Sequence, residues 1–312
     1  MKVTAQIPAT IANLGCGFDC LGLALPVYNV VTVEETVLPG SGIEINIIDE
    51  HNQDNVENIP RDKNNIVYKA IELLYNYIGQ SPNELKISIK TGIPVARGMG
   101  SSASVIVGGL IAANELLGQP ADEAVLLSIA TEIEGHPDNI APAILGGVVL
   151  SDWEEDGSVI SKKLPWPEDW LVTICIPDYE LSTGISRSVL PKEVPMKDAI
   201  FNAKRLAMFV EAVHTHDSEL MKLALQDRLH QPYRMKLVPG LDKIIDNLRH
   251  FDNVLGCVLS GAGSSILIIS EKNNLDKIRS IVKDTWADQN IKCEIKTLSV
   301  ENTGAQIISN ED

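Results

Sequence analysis

Apolar and polar residues alternate in three short stretches of the first hundred positions. "YNVVTVEETV", "GIEINII" and "ELKISIKT" carry the period-two pattern of half-buried strands, which predicts strands over 27–37, 42–48 and 84–91. Residues 1–8 read as a further strand. The polar run 49–65 is a loop, and "IVYKAIELLYNYIG" (66–79) has helical spacing closed by a glycine. Helices are predicted from about Ser102 to Leu117 and from about Ala121 to Glu134, with Asp122 near the start of the second. "GGVVLS" and "SVISKKL" flank Glu154-Glu155-Asp156-Gly157, a hairpin signal. "PWPEDW" (165–170) reads as a linker.

The second half repeats the mixture. "LVTICIP" (171–177) is a buried strand. "MKDAIFNAKRLAMFVEAVH" sets Ile200, Ala203, Ala207 and Val210 on one helical face, and "LDKIIDNLRH" is another helix. "VLGCVLSGAGSSILIIS" (254–270) is strand, turn and strand. "LDKIRSIVKDTWADQ" is a helix, and "IKCEIKTLSV" closes the fold with a strand. No internal repeat appears. The pattern predicts two α+β domains, 1–165 and 166–312.

Charge narrows the partners. Over 312 residues the formal net charge is −16, which disfavours sequence-independent nucleic-acid binding and an anionic membrane surface. A phosphate ligand stays open, because backbone N–H groups supply their own local field. Gln6, Asn13 and Asp19 interrupt any signal-like segment, and no apolar run is long enough to span a bilayer. The cysteines, five in number, show neither a disulfide framework nor a zinc spacing, so the reducing cytoplasm is the expected compartment.

One loop carries the candidate chemistry, "PVARGMGSSAS" (94–104). Gly98-Met-Gly-Ser-Ser-Ala103 satisfies the dinucleotide pattern G-x-G-x-x-A. However, Gly92–Arg97 separates it from the strand, and the helix after it is followed by another helix instead of a strand carrying an acid to the ribose. No Gly-Lys-Ser/Thr follows the glycines, so it is not a Walker A loop. Two readings remain: glycines that turn N–H groups toward a phosphate at a helix start, or an ordinary serine-rich cap.

Three segments together resemble the GHMP kinase superfamily. They are the loop itself, Pro8-Ala-Thr-Ile-Ala-Asn-Leu-Gly-Cys-Gly-Phe-Asp-Cys-Leu-Gly-Leu-Ala-Leu25, and Leu259-Ser-Gly-Ala-Gly-Ser-Ser265. The resemblance covers essentially the whole chain. It implies an N-terminal ATP-binding α+β domain and a C-terminal ferredoxin-like α+β domain. Sugar and mevalonate members usually carry a basic residue where this chain has Ala9-Thr10. The Ala-Asn-Leu-Gly-x-Gly-Phe-Asp run, Ser182–Pro191, His230-Gln-Pro-Tyr-Arg234 and "HPDNIAPAILGG" (136–147) are similar to the homoserine kinase branch.

What this resemblance implies is specific. ATP sits on Pro94, Val95, Ala96, Arg97, Gly98, Met99, Gly100, Ser101, Ser102, Ala103 and Ser104, with Asn65 and Val67 near the adenine. Mg²⁺ falls to Ser102 and Glu132, with Glu134 in competition. L-Homoserine takes Asn13, Asp19, Asp138 and Asn139 for its polar groups, and Arg187 and Arg234 for its carboxylate, which a planar guanidinium binds with two parallel bonds. Asp138 and Asn139 are the catalytic candidates. Phosphoryl transfer has a loose transition state, so a strong base is not required. A homodimer is expected. The rivals are a GHMP kinase for another alcohol, a non-catalytic relative and, more distantly, a dinucleotide-dependent dehydrogenase. His136 reads as structural, His214 and His216 as a surface helix end, and His230 and Tyr233 as pocket-shaping or local packing. Cys16 and Cys20 lack an activating charge pattern.

Overall fold

The computed structural model describes residues 1–36, 42–50, 54–82 and 84–311. The last residue of the strand predicted over 27–37 and positions 51–53 of the polar loop lie outside these. The first half contains β1 (Lys2–Ala12), β2 (Leu21–Glu35), β3 (Ile43–Asp49), α1 (Ile66–Tyr77), β4 (Leu85–Thr91), α2 (Ser101–Leu116), α3 (Glu123–Glu134), α4 (Pro137–Leu145), β5 (Val148–Trp153) and β6 (Val159–Leu164). The second contains β7 (Trp170–Pro177), α5 (Thr183–Ser188), α6 (Met196–Thr215), α7 (Ser218–Ala224), α8 (Gln231–Arg234), α9 (Leu241–Leu248), β8 (Val254–Leu259), β9 (Ile266–Glu271), α10 (Leu275–Ala287) and β10 (Cys293–Leu298). A final strand, β11 (Gln306–Glu311), follows.

The first sheet runs β11-β1-β2-β4-β3, and β5 and β6 attach through β2. Only the β3–β4 pair in it is parallel among the described strands. The second sheet runs β10-β7-β9-β8 and is antiparallel. With helices after β7 and β9, this is the βαββαβ order of a ferredoxin-like unit. The change of sheet falls between β6 and β7. The chain does not finish with the strand at 291–300, however: β11 returns to pair with β1.

Two prolines explain where β1 and β2 differ from their predicted spans. Proline cannot donate to a ladder, so a strand reading stops at Pro8 and starts after Pro26. The register jumps from Pro8↔Tyr28 to Ala9↔Leu25, a bulge that passes both prolines and lets the hairpin continue to Ala12↔Gly22. The strand extensions Ala9–Ala12 and Leu21–Leu25 are buried and run toward the second sheet. There Ile11, Leu21 and Leu23 share one core with Trp170, Val172, Phe209 and Leu267. The two sheets thus meet over a continuous apolar layer, which fixes the cleft between them.

On α6 the face carrying Ile200, Ala203 and Ala207 points outward. Asn202, Phe209, Ala212 and Val213 are buried instead. Asn202 overrides the apolar pattern because its amide donates to the Cys16 carbonyl and to Asp227, at 3.3 and 2.7 Å, and its oxygen accepts from Arg228 N–H.

Candidate active site

The glycine loop is held from both sides. Thr10 N–H on β1 donates to the Met99 carbonyl at 3.1 Å. The Ser260 hydroxyl, in the turn between β8 and β9, donates to the Gly98 carbonyl at 2.6 Å. Gly98 and Gly100 have φ of +71° and +65°, and neither has room for a side chain. A Cβ at Gly98 would lie 2.1 Å from the Ser260 carbonyl oxygen, and one at Gly100 would lie 1.9 Å from Thr10 Oγ1. The left-handed turn and the close approach both require glycine.

Gly100 caps α2 without any side-chain cap. The serines have other duties. Ser102 Oγ donates to Glu134 at 2.9 Å, and Ser104 Oγ donates to the Ser101 carbonyl at 2.8 Å. The ordinary serine-cap reading therefore fails, and the positive end of α2 faces the cleft without a side-chain acceptor, as an anion site requires.

Asn29 anchors this loop, and sequence reasoning missed it inside a plain strand pattern. Its Oδ1 accepts from Gly92 and Ile93 N–H at 2.9 and 3.0 Å, and its Nδ2 donates to Ser104 Oγ at 2.7 Å. It is fully buried. Asn29→Leu strands two backbone N–H groups, at about 1–3 kcal/mol each, so the melting temperature should fall clearly and the KM for ATP should rise. An unchanged melting temperature would show that the loop does not depend on this anchor.

In the same cleft, Asn13 and Asp19 lie in left-handed conformations, with φ of 74° and 59°. Asn13 Nδ2 donates to the Gly261 carbonyl at 3.1 Å, and its Oδ1 accepts from Asp19 N–H at 3.0 Å. Arg187 on α5 meets Asp19 with two bonds of 2.9 and 3.2 Å. Arg234, the last residue of α8, is buried against the Phe18 ring. It is bonded only to neutral groups among the described residues: the carbonyls of Ser186 and Gly261, and His230. Burial and then the charge of Arg187 lower its pKa, yet a guanidinium stays charged in proteins. A buried cation with no carboxylate of its own is a site that favours an anion.

The α3–α4 junction also lines the cleft. His136 Nδ1 lies 2.6 Å from Asp138 Oδ1, and Asn139 Nδ2 donates to the same oxygen at 3.4 Å. Thr10 Oγ1 donates to Asn139 Oδ1 at 2.8 Å. Burial pulls the His136 pKa down, but the bond to Asp138 and the charges of Asp138 and Glu134 outweigh it and hold the imidazole above its ordinary value. Burial raises the Glu134 carboxyl, partly offset by His136 and by the Ser102 hydroxyl. Gly22 lets this helix sit directly on β2, since a Cβ there would lie 1.8 Å from the Asp138 carbonyl oxygen.

These parts enclose a cleft of about 380 Å³. Of the residues singled out in the sequence, Asn13, Asp19, Asn65, Val67, Pro94 through Ser102, Asp138, Asn139, Arg187 and Arg234 line it. Some have other roles than expected. Asn65 spends its amide on capping α1, at 2.9 Å to Val67 N–H, and on the Pro60 carbonyl, so it shapes the pocket rather than offering a free amide. Arg97 Nη1 donates to the Pro177 carbonyl at the end of β7, which turns this side chain into a brace between the sheets. Ala103 and Ser104 turn inward and are fully buried. Glu132 is exposed and outside the cleft, whereas Glu134 lines it and holds Ser102. The reason is helical phase: two residues are about 200° apart, so only one of the pair faces α2. His136, read as structural, also lines the cleft.

Residues 65–147 match the GHMP kinases N-terminal domain, and residues 209–288 match the GHMP kinases C-terminal domain. Fold, loop and cleft together thus define a GHMP kinase, an ATP-dependent phosphotransferase acting on an alcohol. A homoserine kinase of Microchaete diplosiphon is 40% identical over 308 residues, covering 99% of this chain and 98% of that one. A homoserine kinase of a Synechocystis species is 41% identical over 307 residues, covering 98% of each. The crystal structure of homoserine kinase from Cytophaga hutchinsonii matches with a TM-score of 0.88 at 29% identity, over 98% of this chain and 97% of that one. The chain belongs to the homoserine kinase family.

Proposed function

We propose that the protein transfers the γ-phosphoryl group of ATP to the side-chain hydroxyl of L-homoserine, giving O-phospho-L-homoserine on the route to threonine. The observation that carries the substrate is the buried, carboxylate-free Arg234 beside the Arg187–Asp19 pair. Two arginines suit an amino-acid carboxylate and not a neutral sugar. Asn13 and Asp19 offer oxygens to the ammonium group. The phosphates lie over the α2 N-terminus, and Asn65 and Val67 border the adenine end of the cleft. Asp138 and Asn139 orient the acceptor hydroxyl. Asp138 Oδ1 is already engaged by His136, so only Oδ2 can take a proton, and positioning supplies most of the rate.

Ser102 and Glu134 fit a magnesium ion, because a hydroxyl and a carboxylate 2.9 Å apart are hard oxygen donors beside the phosphate site. Held by these two oxygens, a magnesium ion would supply positive charge to the phosphates and would favour the ionised form of Glu134 against the burial that raises its carboxyl. Glu134→Gln should raise the Mg²⁺ concentration for half-maximal rate by about 10–100-fold. Glu132→Gln should leave it unchanged, and the opposite ranking in a Mg²⁺ titration would move the metal to Glu132. The reading extends to a homodimer in the cytoplasm, supported by the family resemblance and by five free cysteines.

The decisive experiment is a coupled ADP-release assay with Mg-ATP and L-homoserine, D-homoserine, mevalonate, galactose and shikimate. Turnover with L-homoserine alone is expected. Turnover with another alcohol would keep the phosphate loop and overturn the assigned acceptor.

A further inference from the structure

His230 has no role in the cleft's lining, yet it is buried completely and makes polar contacts at both ring nitrogens. It precedes α8 by one residue, so helical spacing sets it directly below Arg234, four positions on. Its ring stacks on Phe18, with centroids 5.1 Å apart and planes 19° from parallel. Nε2 lies 2.9 Å from the Gly15 carbonyl oxygen, which can only accept, so Nε2 carries the proton. Nδ1 is then left as an acceptor, and Arg234 Nη1 donates to it at 3.3 Å.

The charged neighbours leave this tautomer in place. Asp227 Oδ2 is 3.7 Å from Nε2, too long for a hydrogen bond, and it already accepts from the N–H groups of His230 and Gln231. Asp19, on the β1–β2 connection, is engaged by Arg187. Arg234 itself disfavours a second positive charge beside it, and burial acts in the same direction on the imidazole. The contacts on Arg234 Nε and Nη1 leave Nη2 with no bond to any described residue.

We propose that His230 is a positioning residue, whose Nδ1 holds the Arg234 guanidinium in the orientation that receives the carboxylate of the amino-acid substrate. This rests on L-homoserine being the acceptor. His230 touches no reacting atom. It acts only through Arg234, so its influence falls on substrate capture and not on the phosphoryl step.

The test separates an acceptor for Arg234 from simple packing. His230→Phe keeps the ring and its stack on Phe18 but removes Nδ1. His230→Asn restores an acceptor near that position without the ring. The Phe variant should raise the L-homoserine KM about 10-fold or more, while kcat and the KM for ATP stay within about threefold of the unaltered protein. The Asn variant should recover most of the loss. Preference for L-homoserine over its carboxamide should fall in the Phe variant and return in the Asn variant.

An unchanged L-homoserine KM in the Phe variant overturns the proposal. So does an equal loss toward ATP, toward L-homoserine and toward the carboxamide, which is the mark of packing alone. If the Phe variant does not fold, as judged by its melting transition, His230→Leu is held to the same criteria. Absence of L-homoserine turnover in the unaltered protein overturns the acceptor assignment and this proposal with it. Turnover there with a flat KM in the variant overturns this proposal alone.

Discussion

Gly100→Ala should reduce kcat/KM for ATP by at least about 100-fold, because displacing a phosphate cradle by about 1 Å costs that much in positioning. The substitution carries two penalties. At φ +65° an alanine Cβ crowds its own backbone, at about 1–2 kcal/mol. The same Cβ would also lie 1.9 Å from Thr10 Oγ1 and 3.0 Å from Asn139 Oδ1. Relief requires the loop to move off β1, or the Thr10 hydroxyl to rotate and give up its bond to Asn139, and both change the site. Steady-state kinetics with ATP varied at saturating acceptor measure the effect. Wild-type values would show that the loop tolerates a side chain and that the cradle is not tight. Gly118→Ala is the matched control, since it also has positive φ but no atom within 4 Å of its Cβ. It should cost stability without the kinetic loss.

Arg234→Ala should raise the KM for L-homoserine by about 100-fold or more, since removing one partner of a buried charge pair costs about 2–5 kcal/mol. The KM for ATP should change less, because among the described residues no hydrogen bond joins Arg234 to the glycine loop. Arg234→Lys should restore only part of the loss. An ammonium cannot make two parallel bonds, and it cannot reach Ser186, His230 and Gly261 at once as the guanidinium does. Equal losses toward both substrates would remove the carboxylate role and point to a general collapse of the α8 region. The comparison with Arg187 adds a second ranking. Arg187 is about 40% exposed and already paired with Asp19, so solvent screens its contribution and its replacement should cost less.

Much of the site was legible because its constraints are local. A glycine loop before a helix, an arginine after Gln-Pro-Tyr and an asparagine after Thr-Ile-Ala each announce themselves within a few residues. Asn29 did not, because it lies in a run that reads as ordinary strand. Its function is to accept two N–H groups from residues more than sixty positions away. His230 was visible but undecidable, as its worth depends on a carbonyl at Gly15 and a guanidinium at Arg234. Glu132 and Glu134 are equally acidic and stand on one helix. Only the packing of α3 against α2 tells which one meets Ser102.

By itself the sequence determined the periodic elements, the α+β class and the glycine turn before α2, since hydrophobic period and glycine conformation act over short spans of chain. The tertiary structure decided the rest. It carried β1 and β2 past two prolines by a bulge, and it returned β11 to the first sheet. It also brought Asn13, Asp138, Arg187 and Arg234 to one cleft from segments 47 to 221 positions apart in the chain. Contacts between distant segments depend on which surfaces can be buried together, and a one-dimensional pattern does not contain that distance.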